Sequence, residues 1–139
     1  MYYPPMSESL VLSLIHTAQA LEGRIEAALD AAGLSLAKFS VLDHLAQASG
    51  PLTLGELAAK SSCVKSNITQ LVDRLEGDGL VRRVPDADDR RVTRATLTEA
   101  GVAKHAEGAD AMEQVQAAVI AGLPDGDQAS LRWALRRLS

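Results

Sequence analysis

A chain of 139 residues with 47% hydrophobic and 23% charged side chains has room for one globular domain, or one domain plus an oligomerisation element, but not for a multidomain enzyme or a wholly disordered polypeptide. Ten Gly and five Pro occur without period, which excludes collagen-like and low-complexity architectures. The net charge of −4 argues at first against a polyanionic partner, yet residues 60–94 carry eight Lys/Arg against six Asp/Glu, a local +2, while the rest of the chain carries −6.

With only four aromatic residues (Tyr2, Tyr3, Phe39, Trp133), the core must be built from Ala, Leu and Val, which favours helices. The single cysteine, Cys63, excludes an internal disulfide framework and is the usage of a reducing cytoplasm. No apolar run approaches the ~20 residues needed to cross a bilayer, and Met1 to Pro5 lack the basic and apolar regions of a signal peptide. The expectation is a cytoplasmic protein without a membrane partner or a cofactor.

Leu10, Leu14, Ile15, Ala18, Leu21, Ile25 and Leu29 recur at three- and four-residue steps, predicting one long helix from a Ser7 cap to Gly33. Ser35 can cap a second helix with Phe39, Leu42, Leu45 and Ala46 on its apolar face, ended by Gly50-Pro51. Thr53 followed by Glu56 has capping-box spacing for a short third helix. Val64, Ile68, Leu71, Val72 and Leu75 form the buried stripe of a fourth, opposite Ser66, Thr69, Gln70 and Asp73, with Asn67, Arg74 and Lys65 on the flanks. Val81 to Val84 and Val92 to Leu97 are short and rich in β-branched residues, and the turn segment Pro85 to Arg91 separates them, as in a hairpin. Thr98 can cap a further helix to about Gly122, and a last amphipathic helix carries Leu131, Ala134, Leu135 and Leu138.

Three helices followed by a two-stranded hairpin is the order of a winged helix-turn-helix, and the connection Ser61-Ser62-Cys63 is short enough for it. The expected fold is therefore mainly α: a winged helix-turn-helix over residues 35–97, with residues 7–33 and 98–139 forming a helical dimerisation region. One winged unit cannot bury the apolar stripes of both terminal helices, so a homodimer is expected. A helix is about as wide as the major groove of double-stranded DNA, and Ser66, Asn67, Thr69 and Gln70 offer short hydrogen-bonding side chains to base edges there. Lys65 suits a phosphate contact. Arg91, with Arg90 next, is placed on a narrow hairpin that can enter the minor groove, where it would recognise width rather than base identity.

Between Leu52 and Gly101 five pieces occur in order: Glu56-Leu57-Ala58, Ser66 to Glu76, Gly79-Leu80-Val81, Asp89-Arg90-Arg91 and Leu97-Thr98-Glu99-Ala100-Gly101. In these pieces the chain resembles the multiple-antibiotic-resistance regulators, the MarR family. The resemblance implies a homodimeric transcription factor, usually a repressor, on a palindromic operator. It also implies that Asp89 and Arg91 form the wing signature, the arginine entering the minor groove and the aspartate holding it or Arg74. Val64 stands where the family often has a capping Ser, which leaves Ser62 or Cys63 to begin the recognition helix.

Members of the family bind small aromatic anions, so His16 and His44 are candidates to line such a pocket; the alternative is two ordinary surface or interfacial histidines. His16, His44 and His105 lack metal-binding spacing, so no metal is expected. Cys63, at the start of the recognition helix, is a candidate redox switch, against the plainer reading of a small buried hydrophobe. No nucleophile elbow, phosphate loop or paired-carboxylate cluster supports an enzyme. A winged-helix protein-interaction module without DNA binding is the remaining alternative.

Overall fold

The computed structural model describes Pro5, residues 9–61 and residues 67–139. Helix α1 runs from Leu10 to Asp30. The expected cap, Ser7, lies outside the described residues, and Ser9 caps instead, its hydroxyl accepting from the Leu12 amide at 3.4 Å. The chain leaves α1 through Gly33, whose φ of +74° suits a residue without a Cβ. The Leu34 amide then donates to the Leu29 carbonyl at 3.0 Å.

Helix α2 (Leu36–Gln47) begins at Ser35, which accepts from the Lys38 amide at 3.1 Å. It buries Phe39, Val41, Leu42 and Leu45. Ala46 is exposed and Val41 takes the place expected for it, because α2 is covered on more than one side. Thr53 caps α3 (Leu54–Lys60) through the Glu56 amide at 3.1 Å. Only this half of the capping box forms; the Glu56 carboxylate lies beside Arg94 at 3.5 Å.

Helix α4 (Ile68–Gly77) buries Leu71, Val72 and Leu75, with Ile68 packed at the edge of the core. It ends at Asp78 and turns through Gly79 at φ +77° into the wing. Strands β2 (Val81–Pro85) and β3 (Thr93–Leu97) pair antiparallel in the register Val81↔Leu97 and Arg83↔Ala95. The sheet has three strands rather than the expected two. Strand β1 (Leu52–Thr53) adds to the far edge of β3, with Leu52 opposite Ala95 and Thr53 opposite Arg94, giving the order β1-β3-β2. A two-residue strand has no period to betray it in sequence.

Helices α5 (Glu99–Ala121) and α6 (Asp125–Leu138) complete the chain. The core joins α1, α2, α3, α4 and the sheet through Leu29, Leu42, Leu57, Val72, Leu75, Val81 and Ala95. Helix α5 packs against both α1 and α2. By contrast α6 buries none of its side chains. It and the start of α1 leave Leu10, Leu14, Ile15, Leu131, Trp133, Leu135 and Leu138 exposed. Among the described residues no helix is long and apolar enough to cross a membrane.

Candidate nucleic-acid interface

Because Leu71, Val72 and Leu75 turn inward, the 3.6-residue period turns Thr69, Gln70, Asp73 and Arg74 outward, and all four are exposed. Asn67 begins the helix. Its Oδ1 accepts from the Thr69 amide at 2.9 Å and the Gln70 amide at 3.4 Å. A bidentate contact to adenine needs that same oxygen, so the carboxamide NH2 is the part left for DNA. Lys65, Ser66 and Cys63, together with Ser62 and Val64, lie outside the described residues.

The wing tip is built from side chains accepting backbone donors. Asp86 Oδ2 accepts from the amides of Asp88 at 3.1 Å and Asp89 at 3.0 Å. Asp89 Oδ1 accepts from the Arg91 amide at 3.0 Å and from Arg91 Nε at 3.2 Å, while Arg91 Nη2 donates to Oδ2 at 3.3 Å. The Arg91 side chain is nonetheless 90% exposed. Arg90 is exposed beside it. Hydrogen bonds from the Arg91 side chain and then its amide hold the Asp89 carboxyl below its ordinary value of 3.8. The partner of Asp89 is thus Arg91 and not Arg74. Two residues of separation let the guanidinium fold back onto the carboxylate, whereas Arg74 stands on a different element.

Three carboxylate contacts are not marked by any local sequence pattern: two are arginine ion pairs and the third is a histidine hydrogen bond. Arg83 on β2 donates to Asp73 Oδ1 at 2.6 Å and to Glu76 Oε1 at 2.8 Å, and its amide donates to Glu76 Oε2 at 3.3 Å, clamping the wing to α4. The hydrogen bond to Asp73 is the main reason its pKa rises. Arg94 on β3 donates from Nε to Asp86 Oδ1 at 2.6 Å and from Nη1 to the Pro51 carbonyl at 3.2 Å. The hydrogen bond between Arg94 and Asp86 raises the pKa of the first and lowers that of the second. His105 is the third: its Nε2 lies 2.8 Å from Asp43 Oδ1, and its ring stacks on Phe39 with centroids 5.5 Å apart, joining α5 to α2.

Neither candidate ligand histidine lines the cavity between α1 and α5. His16 is exposed and His44 is half-buried. The cavity, of about 200 Å³, is lined by Leu21, Ile25, Met112, Val115, Gln116, Val119 and Ile120.

A profile of the MarR family matches residues 34–93, from the loop before α2 to the first residue of β3. This segment belongs to the MarR family. The chain is 32% identical over 98 residues to the transcriptional activatory protein BadR of Rhodopseudomonas palustris, covering 69% of this chain and 56% of BadR. It is 35% identical over 99 residues to the HTH-type transcriptional repressor YetL of Bacillus subtilis, covering 70% of this chain and 59% of YetL. The matches span little more than half the length of these relatives. Among solved structures, CouR from Rhodococcus jostii RHA1, bound to p-coumaroyl-CoA, superposes with a TM-score of 0.82 at 26% identity, covering 98% of this chain and 95% of CouR.

The structure also gives a physical reason for the piece Leu97 to Gly101. Thr98 Oγ1 accepts from the Gly101 amide at 3.0 Å and donates to the Gly79 carbonyl at 2.6 Å, while the Thr98 amide donates to the Leu80 carbonyl at 3.1 Å. One threonine therefore starts α5 and fastens it to the turn before the wing.

Proposed function

We propose that the chain is a DNA-binding transcriptional regulator that acts as a homodimer on a palindromic operator and represses by occupying it. The observation that carries this reading is the exposed Arg91, held by Asp89 at the tip of a hairpin clamped to a helix whose polar face points outward. In the complex Thr69 and Gln70, with Lys65 and Ser66 preceding them in sequence, face the major groove and Arg91 the minor groove. Family membership supports the same reading, and YetL is a repressor.

The dimer is supported by apolar surface that one copy leaves uncovered: Leu10 is 81% exposed, Leu138 66% and Trp133 60%. Two recognition helices about 34 Å apart then face successive turns of one side of the duplex, which requires a palindromic site. Release is assigned to a small aromatic anion that favours a different spacing of the two helices. The apolar lining of the cavity between α1 and α5 supports a ligand with an apolar ring, and CouR is bound to an aromatic acyl group carried on coenzyme A.

The test is binding to DNA flanking the protein's own gene as a function of salt. Phosphate contacts give a log–log slope of about −0.9 for each phosphate neutralised. Replacing Arg90 and Arg91 by Ala should weaken binding and flatten that slope. Binding insensitive to salt and to these substitutions refutes the mechanism and favours a protein-interaction module.

A further inference from the structure

Arg91 does not hold itself in place, because its side-chain partner among the described residues, Asp89, is 40% exposed. What fixes Asp89 is its amide, received by Asp86. Asp86 is the covered member of the tip, 16% exposed, and its other oxygen is taken by Arg94 at 2.6 Å. Arg94 in turn reaches the Pro51 carbonyl before β1 and lies beside Glu56 on α3. Its position on β3 is set by pairing with Thr53, the residue that caps α3. A continuous path of charge-assisted contacts thus runs from α3 through Arg94 and Asp86 to Asp89 and then Arg91. Without it the tip would be a charged turn free to sample many arrangements.

We propose, resting on the DNA-binding reading above, that Arg94 and Asp86 are positioning residues that set where Arg91 meets the minor groove. Neither needs to touch DNA. Arg94 is already occupied on three sides by Asp86, Glu56 and the Pro51 carbonyl. Its contribution to affinity passes through Arg91 and vanishes when the Arg91 side chain is removed.

The test combines one measurement without DNA and one with it. In Arg94→Gln, NMR order parameters of the backbone at residues 88–91 should fall from about 0.85 to 0.6 or less, with α1 and α5 unchanged. Affinity is measured by fluorescence anisotropy on a duplex that the wild-type chain selects from a random-sequence pool. Arg94→Gln should weaken binding by no more than Arg91→Ala does, and the double variant should match Arg91→Ala within about twofold. Losses that multiply in the double variant overturn the proposal, since Arg94 would then contribute independently.

Should Arg94→Gln fail to fold, Asp86→Asn runs the same cycle. It keeps an oxygen for the Asp88 and Asp89 amides and puts an NH2, which cannot accept from Arg94 Nε, in place of the other oxygen, and non-additivity with Arg91→Ala is again the expected result. If the wild-type chain selects no duplex, the regulator reading falls and the role toward Arg91 with it. A wing tip that stays rigid in Arg94→Gln refutes the strut and leaves the regulator reading intact.

Discussion

The attachment of α5 to the winged unit is tested most sharply at Gly101. A Cβ built there would collide with the Leu80 carbonyl oxygen and lie 3.0 Å from the Leu80 carbonyl carbon and 3.3 Å from Leu97 Cδ2. That carbonyl cannot swing away freely, because it receives the Thr98 amide at 3.1 Å. In Gly101→Ala, higher helix propensity gains at most about 1 kcal/mol. Against it stand overpacking of about 1–3 kcal/mol and a strained hydrogen bond worth about 1 kcal/mol. Since the obstacle is backbone rather than a flexible side chain, the upper part of the range applies, and a net loss of about 2 kcal/mol is expected.

Urea unfolding at one fixed protein concentration measures this, because the midpoint of the proposed dimer would depend on concentration. Gly23→Ala in α1 is the control: nothing lies within 4 Å of its added Cβ, so only the propensity gain remains. If Gly101→Ala is as stable as wild type, or gains stability alongside Gly23→Ala, the close approach of α5 to Leu80 is wrong.

Other substitutions and conditions separate stability from recognition. Asn67→Ala should cost about 1 kcal/mol by removing the cap of α4; Asn67→Asp should keep the melting temperature but bind DNA less tightly, and equal loss of both properties in the two variants would count against the capping role. Removing the Arg83 side chain in Arg83→Met should destabilise by about 1 kcal/mol or less, since Asp73 and Glu76 are solvated, and a melt indistinguishable from Asp73→Ala/Glu76→Ala is the expected check. Asp86 and Asp89 are both held below 3.8 in the folded wing, so their ionised forms are favoured by folding. Their contribution is complete above 3.8 and is lost as the pH falls through the lower folded values. NMR titration of the wing tip should therefore show midpoints below 3.8; midpoints at or above it refute the contacts.

What was legible in the sequence follows from the range of each interaction. Period-3.6 stripes of Leu and Ile marked α1, α2 and α4, and the hydroxyls of Ser35, Thr53 and Thr98 marked helix starts, because a stripe and a cap are local properties. Strand β1 was invisible because its existence depends on β3, some forty residues later, and not on its own two side chains. The same holds in the candidate site. Arg91 stood out because an exposed arginine at a hairpin tip is a local feature, whereas Arg83 and Arg94 read as further members of a charge run. Only folding opposes Arg83 to Asp73 and Glu76, and Arg94 to Asp86 and Glu56. Asn67 illustrates the converse: its residue type suits both a base contact and a helix cap, and the start of α4 at Ile68 decides that its oxygen serves the cap.

The contacts of α5 also constrain how a regulatory signal could travel. Gly101 lets its first turn press on Leu80, His105 links it to Asp43 and Phe39, and a Cβ at Gly108 would lie 2.5 Å from the Phe39 ring. Three contacts spread over two turns of the helix tie its first half to the winged unit, two of them requiring glycine. A sliding or rotation of α5 against that unit would break all three together, because closely packed surfaces are not continuously deformable. The second half of α5 is packed differently, against α1 across an apolar cavity with room for change. The proposed ligand, bound there, would move the winged unit as a rigid body with α5, so that the spacing between the two wings of the proposed dimer would change while the shape of each wing would not.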